Sequence, residues 1–319
     1  MSKYSKPKMT RFTKKHFDAM FPDDATCLDW LFRYFHPDGM PFCDKCQKKT
    51  KHHRVASRPS YSCDYCGHHV HPTADTIFHK SSTALTTWFY AVYLMASTRC
   101  GISAKQIERE TGVTYKTAWR MFKQIRSMLE EGVNPFGGPN SPGVEMDETY
   151  MGGRRKGKAG RPMAGDKVKT AVVGIVERKG RVKALVADDV KGSTLLGLVK
   201  EHILPASTVF TDELNGYDGI KHLNRGYTHN RIHHSSKVYV VGDTHTNTVE
   251  GFWSLVKNGI RGVYHSVGKG YLQSYLNEYS FRYNRRFDTQ PMFLSMLNQI
   301  EKRDVVVRRP SLAVEVEPF

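Results

Sequence analysis

The chain has 319 residues, enough for two or three modules with sizeable cores. Hydrophobic residues make up 39% of it, with 16 tyrosines and 16 phenylalanines, which argues for a globular protein rather than a disordered chain. A formal net charge of +17 points to a polyanionic partner, nucleic acid first, because basic surface gains from counterion release along phosphates.

No apolar run reaches the ~18 residues that a spanning helix needs, so no membrane partner is expected. MSKYSKPKMTRF carries charge but no apolar stretch and does not read as a signal peptide; a bacterial cytoplasmic, DNA-associated location is expected.

Residues 1–80 are basic, rich in cysteine and histidine, and short in regular periodicity. FCDKC and YSCDYCGHH place Cys43, Cys46, Cys63 and Cys66 as two C-x2-C pairs with 16 residues between them. Two knuckles at that separation can set four thiolates around one Zn2+, forming a zinc ribbon over roughly residues 40–70 that is too small to fold on its own core. Such pairs indicate a reducing compartment rather than disulfides. Gly67, not His, follows Cys66, which excludes haem attachment, and a thioredoxin-like redox pair would explain one C-x2-C but not both. His68, His69 and His71 could replace a cysteine as ligand, although surface or phosphate contact is the plainer reading. Cys27 and Cys100 lack spaced partners and read as ordinary buried cysteines. A zinc closed by four cysteines has no open position, so it is structural.

Residues 81–133 read as a helical segment. Within it GISAKQIERETGVTYKTAWRMFKQIR, residues 101–126, reads as helix, turn, helix. Ser103 and Gln106 fit a capping box, Gly112 supplies the turn, and Ile107, Val113, Ala118 and Phe122 can pack the pair together. The second helix would then present Tyr115, Lys116, Thr117 and Arg120 to a DNA groove and its phosphates, an ordinary packing hairpin being the alternative. NPFGGPNSPG, residues 134–143, reads as a linker, since Pro and Gly stop helix and strand alike.

Residues 144–300 carry strand, strand, strand, helix, strand in outline: VEMDETYM, KTAVVGIVER, RVKALVAD, STLLGLVKEHIL and STVFTDE. THNRIHH adds one more short strand, and residues 301–319 are a tail. Between the first two strands lies GGRRKGKAGRPMAG, residues 152–165. Its Arg154, Arg155 and Lys156 are candidates for contact with the DNA backbone, a solvated loop being the alternative. GRPMAGDK matches the glycine spacing of a P-loop, but Asp166 stands where Lys is required and a strand follows instead of a helix, so a nucleotide site is rejected.

Asp147 lies inside the apolar pattern VEMDETYM and Asp212 closes TVFTDE. Acids there are costly unless paired or metal-bound. Taken as a helix, HTNTVEGFWSLVKNGIRG, residues 245–262, aligns Val249, Phe252, Trp253, Val256 and Ile260 on one stripe. Glu250, Lys257 and Arg261 then border that stripe. A salt-bridged surface would explain Glu250 alone, but strand-Asp, strand-Asp, helix-Glu in order suits hard cations such as Mg2+.

These segments, with VFTDELNGY and YLNEYSFRYNRR, resemble over nearly the whole chain the DDE transposases of bacterial insertion sequences. The group is the zinc-ribbon-bearing one named for insertion sequence fifteen-ninety-five, with an ISXO-like transposase domain. The resemblance implies an α/β fold: an RNase H-like catalytic domain, a mixed sheet flanked by helices, preceded by the zinc ribbon and the helix-turn-helix segment. It implies Asp147, Asp212 and Glu250 as the triad holding two Mg2+ or Mn2+ ions, with Asn247 and His245 as fallbacks for the third acid. It also implies double-stranded DNA, both transposon ends and target, as substrate, a homo-oligomer on DNA, and Lys257 and Arg261 at its phosphates.

The implied chemistry is water attack at the transposon end, followed by attack of the freed 3′-OH on target DNA. The competing expectation is a zinc-ribbon and helix-turn-helix DNA-binding regulator whose third domain is catalytically silent. A histidine-based zinc hydrolase ranks last, because no H-E-x-x-H-type spacing occurs.

Overall fold

The computed structural model describes residues 11–132, 134–152, 169–232 and 246–302. Their contacts divide them into two compact units, built around Thr13–Tyr90 and Ala91–Asn298. Among the described residues no helix is long and apolar enough to cross a membrane.

The first unit opens with two helices, α1 (Lys14–Met20) and α2 (Asp24–Phe35), in a region whose sequence promises little periodicity. Asp23 starts α2 by accepting from the Thr26 N–H at 2.7 Å. Cys27, Leu28, Leu31 and Phe32 form its buried stripe. A ribbon follows: β1 (Phe42–Cys43) pairs with β2 (Lys48–Lys49), and β3 (His52–Val55), β4 (Ser60–Cys63) and β5 (His69–Val70) form an antiparallel meander. Phe32 stacks on Tyr61 of β4 with ring centroids 3.7 Å apart, which joins helix to ribbon. Cys27 is buried as expected, whereas Cys100 is exposed and its expected burial is corrected.

Helix α3 (Leu85–Ser97) leads to α4 (Ala104–Thr111) and α5 (Tyr115–Ser127). Ser103 caps α4 through the Gln106 N–H at 3.2 Å. The other half of the expected capping box is missing, because the Gln106 side-chain oxygen accepts instead from Arg109 Nη2 at 2.7 Å. Gly112, at φ +72°, ends α4 in the left-handed conformation that favours glycine. Ile107, Ala118 and Phe122 are buried between the helices, with Val113 half-buried. A buried ion network ties α5 to α8 (Lys269–Asn284). Arg126 Nε lies 2.7 Å from Glu278 Oε2, and Arg282 Nη2 lies 2.8 Å from Glu278 Oε1.

Residues 134–143, expected as a linker, pair through Phe136 with the end of α6 and the residues after it. Phe136 is buried, its N–H donates to His202 O at 2.8 Å, and its carbonyl accepts from Leu204 N at 2.9 Å.

The sheet comprises β6 (Val144–Met151), β7 (Thr170–Glu177), β8 (Val182–Ala187), β9 (Thr208–Thr211) and β10 (Thr228–Arg231), in the order β10-β9-β6-β7-β8. β6, β7 and β8 form an antiparallel meander, while β9 and β10 run parallel to β6. Helix α6 (Gly192–His202) and a 3-10 turn (Asn215–His222) cover one face. Helix α7 (Asn247–Gly259), continued by a π turn (Ile260–Tyr264), covers the other with α8. Helix α9 (Met292–Leu297) follows.

Because both faces are covered, β7 reads as a continuous apolar run. Val172 and Val176 join the core beneath α7, and Val173 and Ile175 the core beneath α6. Val249, Phe252, Trp253, Val256 and Ile260 are all buried, so the stripe expected of the Glu250 helix is the one that meets the sheet.

Candidate functional site

Two clusters of metal-ligating side chains stand out among the described residues. In the ribbon the four sulfurs of Cys43, Cys46, Cys63 and Cys66 lie within 4.8 Å of one another. Cys43 Sγ is 3.5 Å from Cys66 Sγ, and Cys46 Sγ is 3.9 Å from Cys63 Sγ. A tetrahedral cation with bonds of ~2.3 Å to sulfur needs its sulfurs ~3.8 Å apart, so the donor set fits Zn2+. The two knuckles are built alike. Gln47 and Gly67, each just past the second cysteine of its pair, take positive φ, and their N–H groups donate to Cys43 O at 2.8 Å and Cys63 O at 3.0 Å. His68, His69 and His71 do not join this set; His69 Nδ1 is 2.9 Å from Ser60 Oγ.

The second cluster forms where β9 ends beside the middle of β6. Their parallel register pairs Val144 with Val209 and Glu145 with Phe210. Two residues further on, that register brings Asp147 level with Asp212. Asp147, Glu148 and Asp212 offer carboxylate oxygens within 4.8 Å of one another. Burial, with the charge of Asp212 next, pushes both Asp147 and Glu148 up to about 7. Three crowded acids become comfortable when a hard cation shares their charge, so this donor set fits Mg2+ or Mn2+.

Each acid is held. Trp253 Nε1 donates to Asp147 Oδ2 at 2.9 Å, the Tyr217 hydroxyl donates to Glu148 Oε2 at 3.0 Å, and Asp212 Oδ1 accepts from Leu214 N at 3.0 Å. Glu250, on the first turn of α7, lies outside the close triple. It lines the same cleft as Asp147, Glu148, Lys257 and Arg261, and its Oε1 accepts from Thr246 Oγ1 at 3.1 Å.

Glu145 explains why α7 starts where it does. It is fully buried on β6, and its carboxylate accepts from Thr248 N at 3.0 Å, Thr248 Oγ1 at 3.0 Å and Val249 N at 3.1 Å. The helix N-terminus is thus capped from the neighbouring strand rather than by its own preceding residue. Arg178 Nε, 3.0 Å away, balances the charge.

Against known proteins, residues 140–284 match the family described as ISXO2-like transposase domain. The matched stretch makes up a little under half of the chain. A protein of the transposable element ISH50 of Halobacterium salinarum is 26% identical over 265 residues, 76% of this chain and 84% of the relative. A transposase-like protein of Haemophilus influenzae is 28% identical over 129 residues, 40% of this chain and 99% of the relative. Among solved structures, the Mos1 strand transfer complex aligns with 65% of this chain and 77% of its own at 10% identity, with a TM-score of 0.21. DDE transposases use divalent metal, and the acidic cluster lies within the matched transposase domain.

The expected DNA contacts fall in several places. Tyr115, Lys116 and Arg120 are exposed on α5, whereas Thr117 is half-buried, with its hydroxyl 3.1 Å from that of Thr114, the α5 cap. Lys257 and Arg261 line the acidic cleft. Arg154, Arg155, Lys156 and His245 lie outside the described residues, and Asn247 is the exposed first residue of α7. Sequence reasoning missed Glu145 and Glu148. Both stand in the same apolar run as Asp147, which is the signal that could have found them.

Proposed function

We propose that this chain is a DNA transposase that cleaves the ends of its element and joins the freed 3′-OH to target DNA at the Asp147–Asp212 cleft. One observation carries the reading: the parallel β6–β9 register sets the two aspartates side by side while α7 brings Glu250 to the same cleft. The order of the meander and the two parallel strands supports an RNase H-like sheet. Asp147, Asp212 and Glu250 would hold two Mg2+ or Mn2+ ions, with Glu148 within reach of the first pair. When bound, the ions supply Lewis-acid stabilisation of charge on the attacking and departing oxygens.

The protein's own residues supply the rest. Lys257 and Arg261 stand where DNA phosphates would approach the carboxylates. Exposed Tyr115, Lys116 and Arg120 suit a groove and its backbone. The four cysteines would hold a structural Zn2+ that keeps the ribbon folded. In each reaction an oxygen, from water and then from the 3′-OH, bonds to phosphorus as the opposite oxygen leaves with the proton balance closed by solvent.

The test is strand transfer by the purified chain with Mg2+ and DNA carrying the ends of the source element. Asp147→Asn, Asp212→Asn and Glu250→Gln should each lower product formation by at least about 100-fold, since metal-assisted stabilisation is worth several kcal/mol. DNA affinity should stay nearly unchanged, because it rests on Lys and Arg. Wild-type rates in Glu250→Gln would remove Glu250 from the triad and promote Asn247 or His245. Undiminished strand transfer in Asp147→Asn would refute the reading itself.

A further inference from the structure

We infer that Trp253 is the positioning residue for Asp147, and that Gly174 on the neighbouring strand creates the slot that lets its indole reach that carboxylate. The inference rests on the metal-holding role proposed above for Asp147. Asp147 is the cross-strand partner of Gly174 in the β6–β7 ladder. A Cβ at Gly174 would stand 2.6 Å from Trp253 Cζ2 and 3.0 Å from Val249 Cγ2, well inside contact distance. The missing side chain therefore leaves room for the indole at this point of the sheet, with Nε1 at 2.9 Å from Asp147 Oδ2.

The ring has nowhere to retreat. Trp253 is buried, and Val249, Phe252 and Val256 on the same helix are fully buried. The helix start is fixed in turn by Glu145, two residues before Asp147 on the same face of β6. One strand thus sets the helix with its first acid and receives, at its second, the donor that the helix carries. An indole N–H can only donate, so it fixes one oxygen of Asp147 without competing for a cation. A carboxylate largely shielded from water would otherwise swing about its side-chain torsions or go unpartnered.

Mn2+ binding to the zinc-loaded full chain without DNA, followed by the electron paramagnetic resonance of free Mn2+, tests this directly. Trp253→Phe keeps an aromatic ring and removes the donor. Replacing Trp253 by β-(3-benzothienyl)alanine keeps the bicyclic shape and removes only the N–H, so it carries the test should the phenylalanine variant fail to fold. Each should bind Mn2+ about 10- to 100-fold more weakly than wild type, the range for lost partners of metal ligands, with thermal unfolding of the benzothienyl protein unchanged. Gly174→Ala, which keeps the donor but displaces the ring, should weaken binding in the same direction.

Wild-type Mn2+ affinity in the benzothienyl protein, with binding lost in Asp147→Asn, would overturn this inference and leave the proposed function standing. Unchanged binding in Asp147→Asn itself would overturn the metal-holding role and this inference with it.

Discussion

Asp147 and Glu148 are neighbours in the middle of β6, so their side chains leave opposite faces of the strand, and both reach Asp212, which follows directly on the last residue of β9. Burial first, and the Asp212 charge second, hold each carboxyl up to about 7. In the unfolded chain Asp147 returns to its ordinary 3.8. Between that value and about 7 the folded metal-free protein binds more protons than the unfolded one, so stability falls as pH rises through this window and levels off above it. Thermal unfolding at fixed ionic strength should therefore show a higher midpoint at pH 5 than at pH 8 for the wild type without Mg2+. Relative to wild type, Asp147→Asn should flatten this dependence, and millimolar Mg2+ should flatten it too, because a bound cation favours the ionised forms. Parallel pH profiles in wild type and Asp147→Asn would show that Asp147 does not carry this cost.

At the scale of elements, the decisive contact is a strand carboxylate capping a helix. Glu145 satisfies two of the N–H groups that the first turn of α7 leaves without helical partners, and it pairs with Arg178, whose side chain is only 10% exposed. Glu145→Gln keeps the shape but removes the charge that both the helix terminus and the guanidinium face. Breaking one side of a buried ion pair costs ~3 kcal/mol or more, so chemical denaturation should show a loss of that size. A loss below ~1 kcal/mol would mean that Glu145 is not what anchors α7. The Glu250 helix was legible from its apolar stripe, and that stripe is buried as the spacing requires. The cap was not legible, because its acid lies about a hundred residues away from the helix it serves.

For the molecule as a whole, the helix pair α4–α5 is joined to the sheet unit by Arg126, Glu278 and Arg282. Arg126 also lies 3.8 Å from the ring centre of Tyr275. This network is buried and fully charged on both sides: Glu278 is held below the ordinary carboxylate range by Arg126 and Arg282 despite its burial. The ribbon, by contrast, belongs to the other compact unit. Cys43→Ser should abolish binding of the Zn2+ proposed for the four cysteines and unfold the ribbon, since binding energy and folding energy are shared in such modules. The sheet unit, with separate cores on both faces, should keep its unfolding transition. Metal analysis together with calorimetry checks this. Stoichiometric zinc retained in Cys43→Ser would show that another ligand, such as His68, completes the site.

Local chemistry was written in the sequence: the paired cysteines, the turn glycine of the helix pair, the alternating strands and the apolar stripe of α7 follow from spacing alone. The helices before the ribbon were obscured, because their apolar residues sit in a short, charged stretch whose partners lie further along the chain, on β4 and α3. Asp147 and Asp212 could be picked out as acids in apolar strands. Their meeting, and the addition of Glu148, depended on which strands become parallel neighbours and in what register. The same holds for Glu145 under α7 and for Gly174 beneath Trp253. Periodicity reports which face of an element is buried, but only the packed tertiary structure decides which distant group that face will meet.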